Sequence, residues 1–356
     1  MVRSREQTVC ILRHQDGDSL LFDRVRSTGS AEVAAIVASL DLPDETRARY
    51  LEGDFEYLMF ASRPDRERYL PYLPDLPAEA EVSEWGVGTV PLKTAEGYHA
   101  GHCTFHPLAC VDSVAELERY PFPDFAEPWR HAGLDARAAE AKQQGYVVVG
   151  QMSQTILETA YLMRGIERLF LDMHERPAYV EALFERIAEC QRFRARRFAE
   201  AGVDVLRIGD DIADQRHLLV GPGQYRRQIK PFHASVVAAA RAINPDIQVL
   251  YHSDGNLTPL LPDLIEVGVT AINPVQPECM DLAMIKREFG RDLVLWGCCP
   301  VQSTYAFGSR EDVLAHVRTL KELAAGGGLV TQFYNMILTP TVKANLAVFF
   351  EAFAES

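Results

Sequence analysis

The segment Tyr251-His252-Ser253-Asp254-Gly255-Asn256 places two metal-competent side chains, His252 and Asp254, two residues apart at the end of an apolar run. Residues i and i+2 of a strand point the same way. The preceding stretch, Ile247 to Tyr251, has the composition of a buried strand, and Gly255-Asn256 interrupts it before the apolar helical pattern of Leu257 to Val267. A polar strand end of this kind is where chemistry is sited.

The same pattern recurs along the second half of the chain. Strands are expected at Tyr146–Met152, Asp204–Asp210, Ile247–Tyr251, Thr270–Pro274, Leu293–Cys298 and Leu329–Tyr334, separated by helix-like segments. The helices expected are Ile187–Ala201, Gln224–Ile243, Asp312–Ala325 and Val342–Phe353, the third ending at Gly326-Gly327-Gly328. Ser19–Phe22 and Tyr57–Ala61 supply two further strands. Eight strands alternating with helices, with no linker or internal repeat, predict one α/β (β/α)8 barrel over residues 1–356 in preference to an open doubly wound sheet. The Pro- and aromatic-rich stretch from Arg63 to Phe125 reads as an insertion roofing the mouth. In a barrel, strand C-termini share one face. That face would gather Asp210 and Asp211, His252 and Asp254, Asn273, Cys298 and Cys299, and Tyr334 with Asn335. Burying so many polar groups unpaired would cost several kcal/mol each, so a common pocket is the economical explanation.

Composition narrows the classes of function. A net charge of −14 with no basic run argues against nucleic acid. No apolar run approaches the about 20 residues a membrane helix needs, and the N-terminus lacks the apolar core of a leader, so a cytoplasmic location is expected. The seven cysteines lack scaffold spacing, which points to reduced thiols or metal ligands. Glu158 opens a helix and is read as either a pocket acid or a capping carboxylate. His102-Cys103-x-x-His106 has metal-like spacing, but its aromatic and Pro-rich surroundings favour a packed lid. The Gly326–Gly328 run precedes a strand and lacks the geometry of a phosphate loop.

Taken in order, Glu84-Trp85-Gly86-Val87, Glu158 to Gly165, Gly209-Asp210-Asp211-Ile212-Ala213, the segment Tyr251–Asn256, Pro262 to Gly268, Ile272-Asn273-Pro274-Val275-Gln276 and Leu295-Trp296-Gly297 resemble the uroporphyrinogen decarboxylase superfamily. They are most similar to its branch of uncharacterised relatives and corrinoid-linked methyltransferases. The resemblance implies the same barrel. It also implies a choice between metal-free decarboxylation and zinc-dependent methyl transfer, which fold alone does not make. The decarboxylases' Arg-Gln-Ala-Gly-Arg element is replaced by Leu21-Phe22-Asp23-Arg24-Val25-Arg26-Ser27. The methyltransferases' His-x-Cys becomes His252-x-Asp254, and their further Cys near the eighth strand is missing beside Asn335.

A zinc site of His252, Asp254 and Cys298 or Cys299 is therefore expected, with a methyl group passing from a small methylated donor, or from a corrinoid or folate carrier, to a nucleophile. Asp211 is expected as base or orienting group, His252 and Tyr334 as catalytic groups, and Asp210, Arg207, Asn273, Asn335 and Trp85 as substrate contacts. A small-molecule substrate is implied, a corrinoid protein is a compatible partner, and so is an oligomer. The alternative is a metal-free decarboxylase or lyase in which Arg24, Arg26 or Arg207 holds carboxylates.

Overall fold

The computed structural model describes residues 4–15, 20–23, 30–93, 99–152, 154–334 and 336–354. Eleven strands are present among them: β1 (Leu21–Asp23), β2 (Phe55–Leu58), β3 (Glu81–Val82), β4 (Gly88–Lys93), β5 (His99–Phe105), β6 (Val147–Gln151), β7 (Val205–Ile208), β8 (Gln248–His252), β9 (Ala271–Val275), β10 (Val294–Cys298) and β11 (Leu329–Gln332). Eight form one parallel sheet in the order β1-β11-β10-β9-β8-β7-β6-β2. The ends of that order meet through Asp54, whose amide donates to the Phe22 carbonyl at 3.0 Å and whose carboxylate accepts from the Phe22 amide at 2.8 Å. The sheet is thus a nearly closed (β/α)8 barrel.

Each barrel strand is a short apolar run because it is covered on both faces. Inward residues from alternate positions, among them Leu21, Phe55, Val147, Val149, Val205, Leu250, Ala271, Val294, Trp296 and Val330, make one core. The helix Arg5–Leu12 adds Ile11 and Leu12 to it. Arg5 Nε donates to Asp204 at the start of β7 at 3.1 Å, so this helix plugs the N-terminal end of the barrel. The opposite end is left for polar side chains. Outside, the helix Pro177–Glu200 buries Val180, Leu183, Phe184, Ile187, Ala188, Ala195 and Phe198, a stripe at helical spacing laid on the sheet.

Several elements differ from the sequence expectation, among them the expected helix Ile187–Ala201, which runs from Pro177 to Glu200. β2 runs from Phe55 to Leu58 and not from Tyr57 to Ala61, so Tyr57 lies two residues after the inward Phe55. The expected helix Gln224–Ile243 is two helices, Pro222–Gln228 and Lys230–Arg241, because Pro231 has no amide proton to continue a helical ladder. The stretch from Arg63 to Phe125 contains an antiparallel sheet, β3-β4-β5, which the irregular composition did not suggest. The same stretch is tied to the helix Leu157–Arg164 that follows β6: Leu108 N donates to Met163 O at 2.8 Å, and His106 Nδ1 lies 2.7 Å from Leu162 O. His102 is exposed on β5, against the expectation of a packed lid, whereas Trp85 and His106 are partly buried.

Candidate active site

Where the barrel strands end, their inward residues change from apolar to polar: Asp23, Tyr57, Gln151, Arg207, His252, Asn273 and Gln332. The period of two that fills the core below carries these side chains into the same interior. They are joined into one chain of hydrogen bonds. Asp23 Oδ2 accepts from Tyr57 Oη at 2.5 Å, from Trp296 Nε1 at 3.0 Å and from Gln332 Nε2 at 2.6 Å. Gln332 Oε1 accepts from Asn273 Nδ2 at 2.8 Å, and Asn273 Oδ1 lies 2.7 Å from His252 Nδ1. Arg207 closes the series, with Nη2 at 3.5 Å from Asn273 Oδ1 and Nη1 at 3.0 Å from Gln151 Oε1. Burial and then the Arg207 charge hold the His252 imidazole down at about 3, so the ring is neutral.

A second group sits on the loops beyond the strands. Asp211 Oδ1 accepts from Asp254 N at 2.9 Å, and Glu158 Oε2 accepts from Asp211 N at 3.2 Å. Gln276 supports the β8 loop: its Oε1 accepts from Gly255 N at 2.6 Å, and its Nε2 donates to Asp254 Oδ1 at 3.4 Å. Gly209 lets β7 and β8 come this close, because a Cβ there would lie 2.1 Å from the His252 carbonyl oxygen. Burial, reinforced by the charges of Asp211 and Asp210, raises the Glu158 carboxyl to about 8. Burial also raises Asp211 above the usual carboxylate range, opposed by the Asp254 amide and by Arg207. Arg207 therefore acts electrostatically on both groups. The pair has one carboxyl that is largely protonated at neutral pH and one with a smaller upward shift.

The structure brings Asp211, His252, Asp254, Asn273 and Arg207 to this end of the barrel. Asp210, expected to touch substrate, is fully buried instead. Its oxygens accept from the amides of Ile156, Leu157 and Glu158 at 2.9 to 3.1 Å, and lie 2.7 Å from His233 Nε2. It anchors the helix Leu157–Arg164. Burial opposes its ionisation, but His233 and those amides outweigh the penalty and hold it below the usual range. Tyr334 is buried and spends its hydroxyl on the Cys299 carbonyl at 3.1 Å. Trp85 packs on Phe125 at 5.8 Å between centroids, and its carbonyl accepts from Tyr120 Oη at 2.6 Å, so its contacts are those of a packing residue in the insertion. Asn335, Arg24 and Arg26 lie outside the described residues.

The expected metal donors do not gather. Cys298 and Cys299 are both fully buried and belong to the core outside the barrel, not to its interior. A φ of +60° at Cys298 breaks the alternation that would have turned its side chain inward. Burial pushes its thiol up to about 12 and that of Cys299 well above its usual value, so neither supplies a thiolate at neutral pH. Among the described residues, no three His, Cys, Asp or Glu side chains are placed to hold a metal ion. The described residues do not fit the zinc that the resemblance implies.

Sequence reasoning passed over Asp23, Tyr57, Gln151 and Gln332, although the period-two pattern marks each as the inward residue following an apolar one. Asp23 was hidden because its strand was expected to end at Phe22.

Residues 110–356 match the model of the uroporphyrinogen decarboxylase family. Among solved structures, a methyltransferase from Methanosarcina mazei superposes with a TM-score of 0.63 at 15% identity, covering 99% of this chain and 98% of that one. A protein from Listeria monocytogenes described as a putative vitamin-B12 independent methionine synthase gives a TM-score of 0.38 at 10% identity over 96% of this chain and 97% of its own, too distant to carry an argument. A search of curated proteins finds no match.

Proposed function

The chain belongs to the uroporphyrinogen decarboxylase family, and from that premise we propose that it is a methyl-transferring enzyme working by paired carboxyl groups at the barrel mouth. The observation that carries this reading is that Glu158 Oε2 accepts from the Asp211 backbone amide, and that burial together with the nearby Asp211 charge raises Glu158 to about 8. Glu158 then enters the reaction as an acid and Asp211 as a base. A methylated donor CH3–X–R and a thiol or hydroxyl acceptor bind between them. Asp211 takes the acceptor's proton, the acceptor's electron pair forms the new bond to the methyl carbon, and the C–X bond breaks as Glu158 protonates X. The products are the methylated acceptor and H–X–R, and proton transfer from Asp211 to Glu158 resets the pair. His252, neutral at working pH, offers a hydrogen-bonding nitrogen, and Arg207 orients any anionic part of the donor. A corrinoid or folate serves in this reading as the methyl carrier, with a corrinoid protein as the partner in the first case. No step passes through zinc, since the donor set does not fit one.

A metal-free decarboxylase or lyase is the second reading. Arg207 favours it, as a cation set among the polar side chains of the barrel interior and able to hold a substrate carboxylate. The test is to incubate the protein with a panel of O-, N- and S-methyl donors and a small thiol, following methylated thiol by mass and released CO2 in parallel from small carboxylic acids. Thiol methylation that falls by about 10²–10⁴ in both Glu158→Gln and Asp211→Asn is expected. CO2 release without methyl transfer would replace this reading by the second.

A further inference from the structure

We propose that Asp23 is a positioning residue that fixes which nitrogen of His252 offers its lone pair to the barrel mouth. Among the described residues the two are linked through Gln332 and Asn273, two side-chain amides that each have an accepting and a donating end. The direction in which such a chain runs is set by groups with no choice of role.

Trp296 Nε1 can only donate, and it points at Asp23 Oδ2 from 3.0 Å, so that oxygen is an acceptor. Gln332 must then present its NH2 to the same oxygen, which turns its carbonyl oxygen towards Asn273. Asn273 answers with its NH2, which leaves its own carbonyl oxygen facing His252 Nδ1 at 2.7 Å. An oxygen in that position accepts, so Nδ1 carries the proton and Nε2 carries the lone pair. Arg207 anchors the far end in the same sense, because its guanidinium, another obligate donor, faces Asn273 Oδ1. Reversing Gln332 would set oxygen against oxygen at Asp23, and reversing Asn273 would set donor against donor at Arg207. Among the described residues Nε2 has no hydrogen-bond partner, and His252 is only partly buried, so the lone pair is presented to whatever enters the mouth.

Asp23 makes the arrangement one-directional because a carboxylate has no donor to offer. Tyr57, Trp296 and Gln332 all donate to its one oxygen Oδ2, so the substitution that releases the chain is one that removes the acceptor. With Leu at this position Gln332 is free to turn its oxygen towards Tyr57 Oη and Trp296 Nε1, and the whole chain could then run backwards, ending with Asn273 donating to a bare Nδ1 and the proton on Nε2. Asp23→Leu should therefore move the tautomer of a residue three side chains away. Adding Gln332→Glu should move it back, because a carboxylate at 332 accepts from Asn273 and restores the original direction beyond it.

The experiment is long-range 1H–15N NMR correlation of the His252 ring in full-length protein, with the signal assigned by its loss in His252→Gln. The native protein should show the Nδ1–H form at more than about tenfold excess. Asp23→Leu should raise the Nε2–H fraction at least about tenfold, and Asp23→Leu with Gln332→Glu should return it. If Asp23→Leu does not fold, Gln332→Met, which cuts the chain and frees Asn273 to turn, should give a mixture of both forms. An unchanged Nδ1–H form in folded Asp23→Leu, or in folded Gln332→Met, overturns the proposal. A merely structural Asp23 would lower the melting temperature in these variants without moving the tautomer. The tautomer is read without substrate, so a failure of methyl transfer and a failure of this proposal are distinguished.

Discussion

At the scale of single residues, the chemistry rests on the unequal environments of two carboxyl groups. Glu158 must be protonated and Asp211 ionised for the pair to work, so activity should rise with pH as Asp211 loses its proton and fall as Glu158 ionises near 8. Glu158→Gln should abolish the alkaline limb along with most of the rate, which a pH–rate profile checks; an alkaline limb persisting near 8 in that variant would assign it elsewhere. The same shift has a stability consequence of definite sign. The folded state binds the Glu158 proton more tightly than the unfolded chain does. Its contribution is therefore fully present below the ordinary glutamate value of 4.5 and is lost as pH rises through about 8. Denaturant titrations of Glu158→Gln should lose that slope between the two values. His252, Asp254, Asp211 and Asn273 were legible in the sequence because each ends or follows an apolar strand. What the sequence did not disclose was the state of these groups: nothing in Cys298-Cys299 as letters shows that a φ of +60° and complete burial remove the thiols from the interior.

At the scale of elements, the mouth is assembled by side chains that hold loops and helix ends, not by side chains that touch a ligand. Asp210 is the main example. It caps the helix Leu157–Arg164 from another strand, filling the place of an N-terminal side-chain cap, which Ile156 cannot supply. Because Glu158 is in the first turn of that helix, the acid's position depends on Asp210. Asp210→Ala should remove the partner of Ile156 N, Leu157 N, Glu158 N and His233 Nε2, and destabilise the fold by at least about 2 kcal/mol. A thermal melt reads this, and a loss under about 0.5 kcal/mol would show that the helix holds without its anchor. Strands paired in a parallel sheet were easy to find because burial on both faces makes them continuous apolar runs, as in Val147-Val148-Val149. β2 was misplaced because Phe55-Glu56-Tyr57-Leu58 mixes apolar and polar residues around the barrel seam. The sheet β3-β4-β5 was missed because its residues pack in a shallow layer: β4 runs from a buried Gly88 to exposed Pro91-Leu92-Lys93, without a consistent buried face.

At the scale of the whole molecule, the question is how the inserted segment is held to the barrel. Ring contacts contribute, through Trp85 on Phe125 and Phe125 on Phe60, but the most buried link is Arg164. This fully buried guanidinium spans the two parts. Nε donates to Asp172 at 2.8 Å on the barrel side. On the insertion side, Nη1 donates to the Val111 carbonyl at 2.9 Å and Nη2 to Asp112 at 2.9 Å. A planar group with five donors suits this junction, where carbonyls and carboxylates converge from two directions. Arg164→Met would preserve much of the side chain's bulk and remove every one of those bonds. Breaking a buried pair that is left without compensation costs about 3–5 kcal/mol. Here Asp172 keeps Arg168 at 3.4 Å and Arg176 at 3.5 Å, so a loss of about 2–3 kcal/mol is the expectation. The loss should be felt locally first, since the barrel retains its own core and its Asp54 seam. Limited proteolysis under native conditions should then cut the segment between Arg63 and Phe125 at least about tenfold faster in Arg164→Met, while the barrel strands stay protected in hydrogen exchange. Equal cleavage rates would mean that the aromatic contacts alone hold the insertion, and uniform loss of protection would mean that Arg164 supports the barrel as a whole.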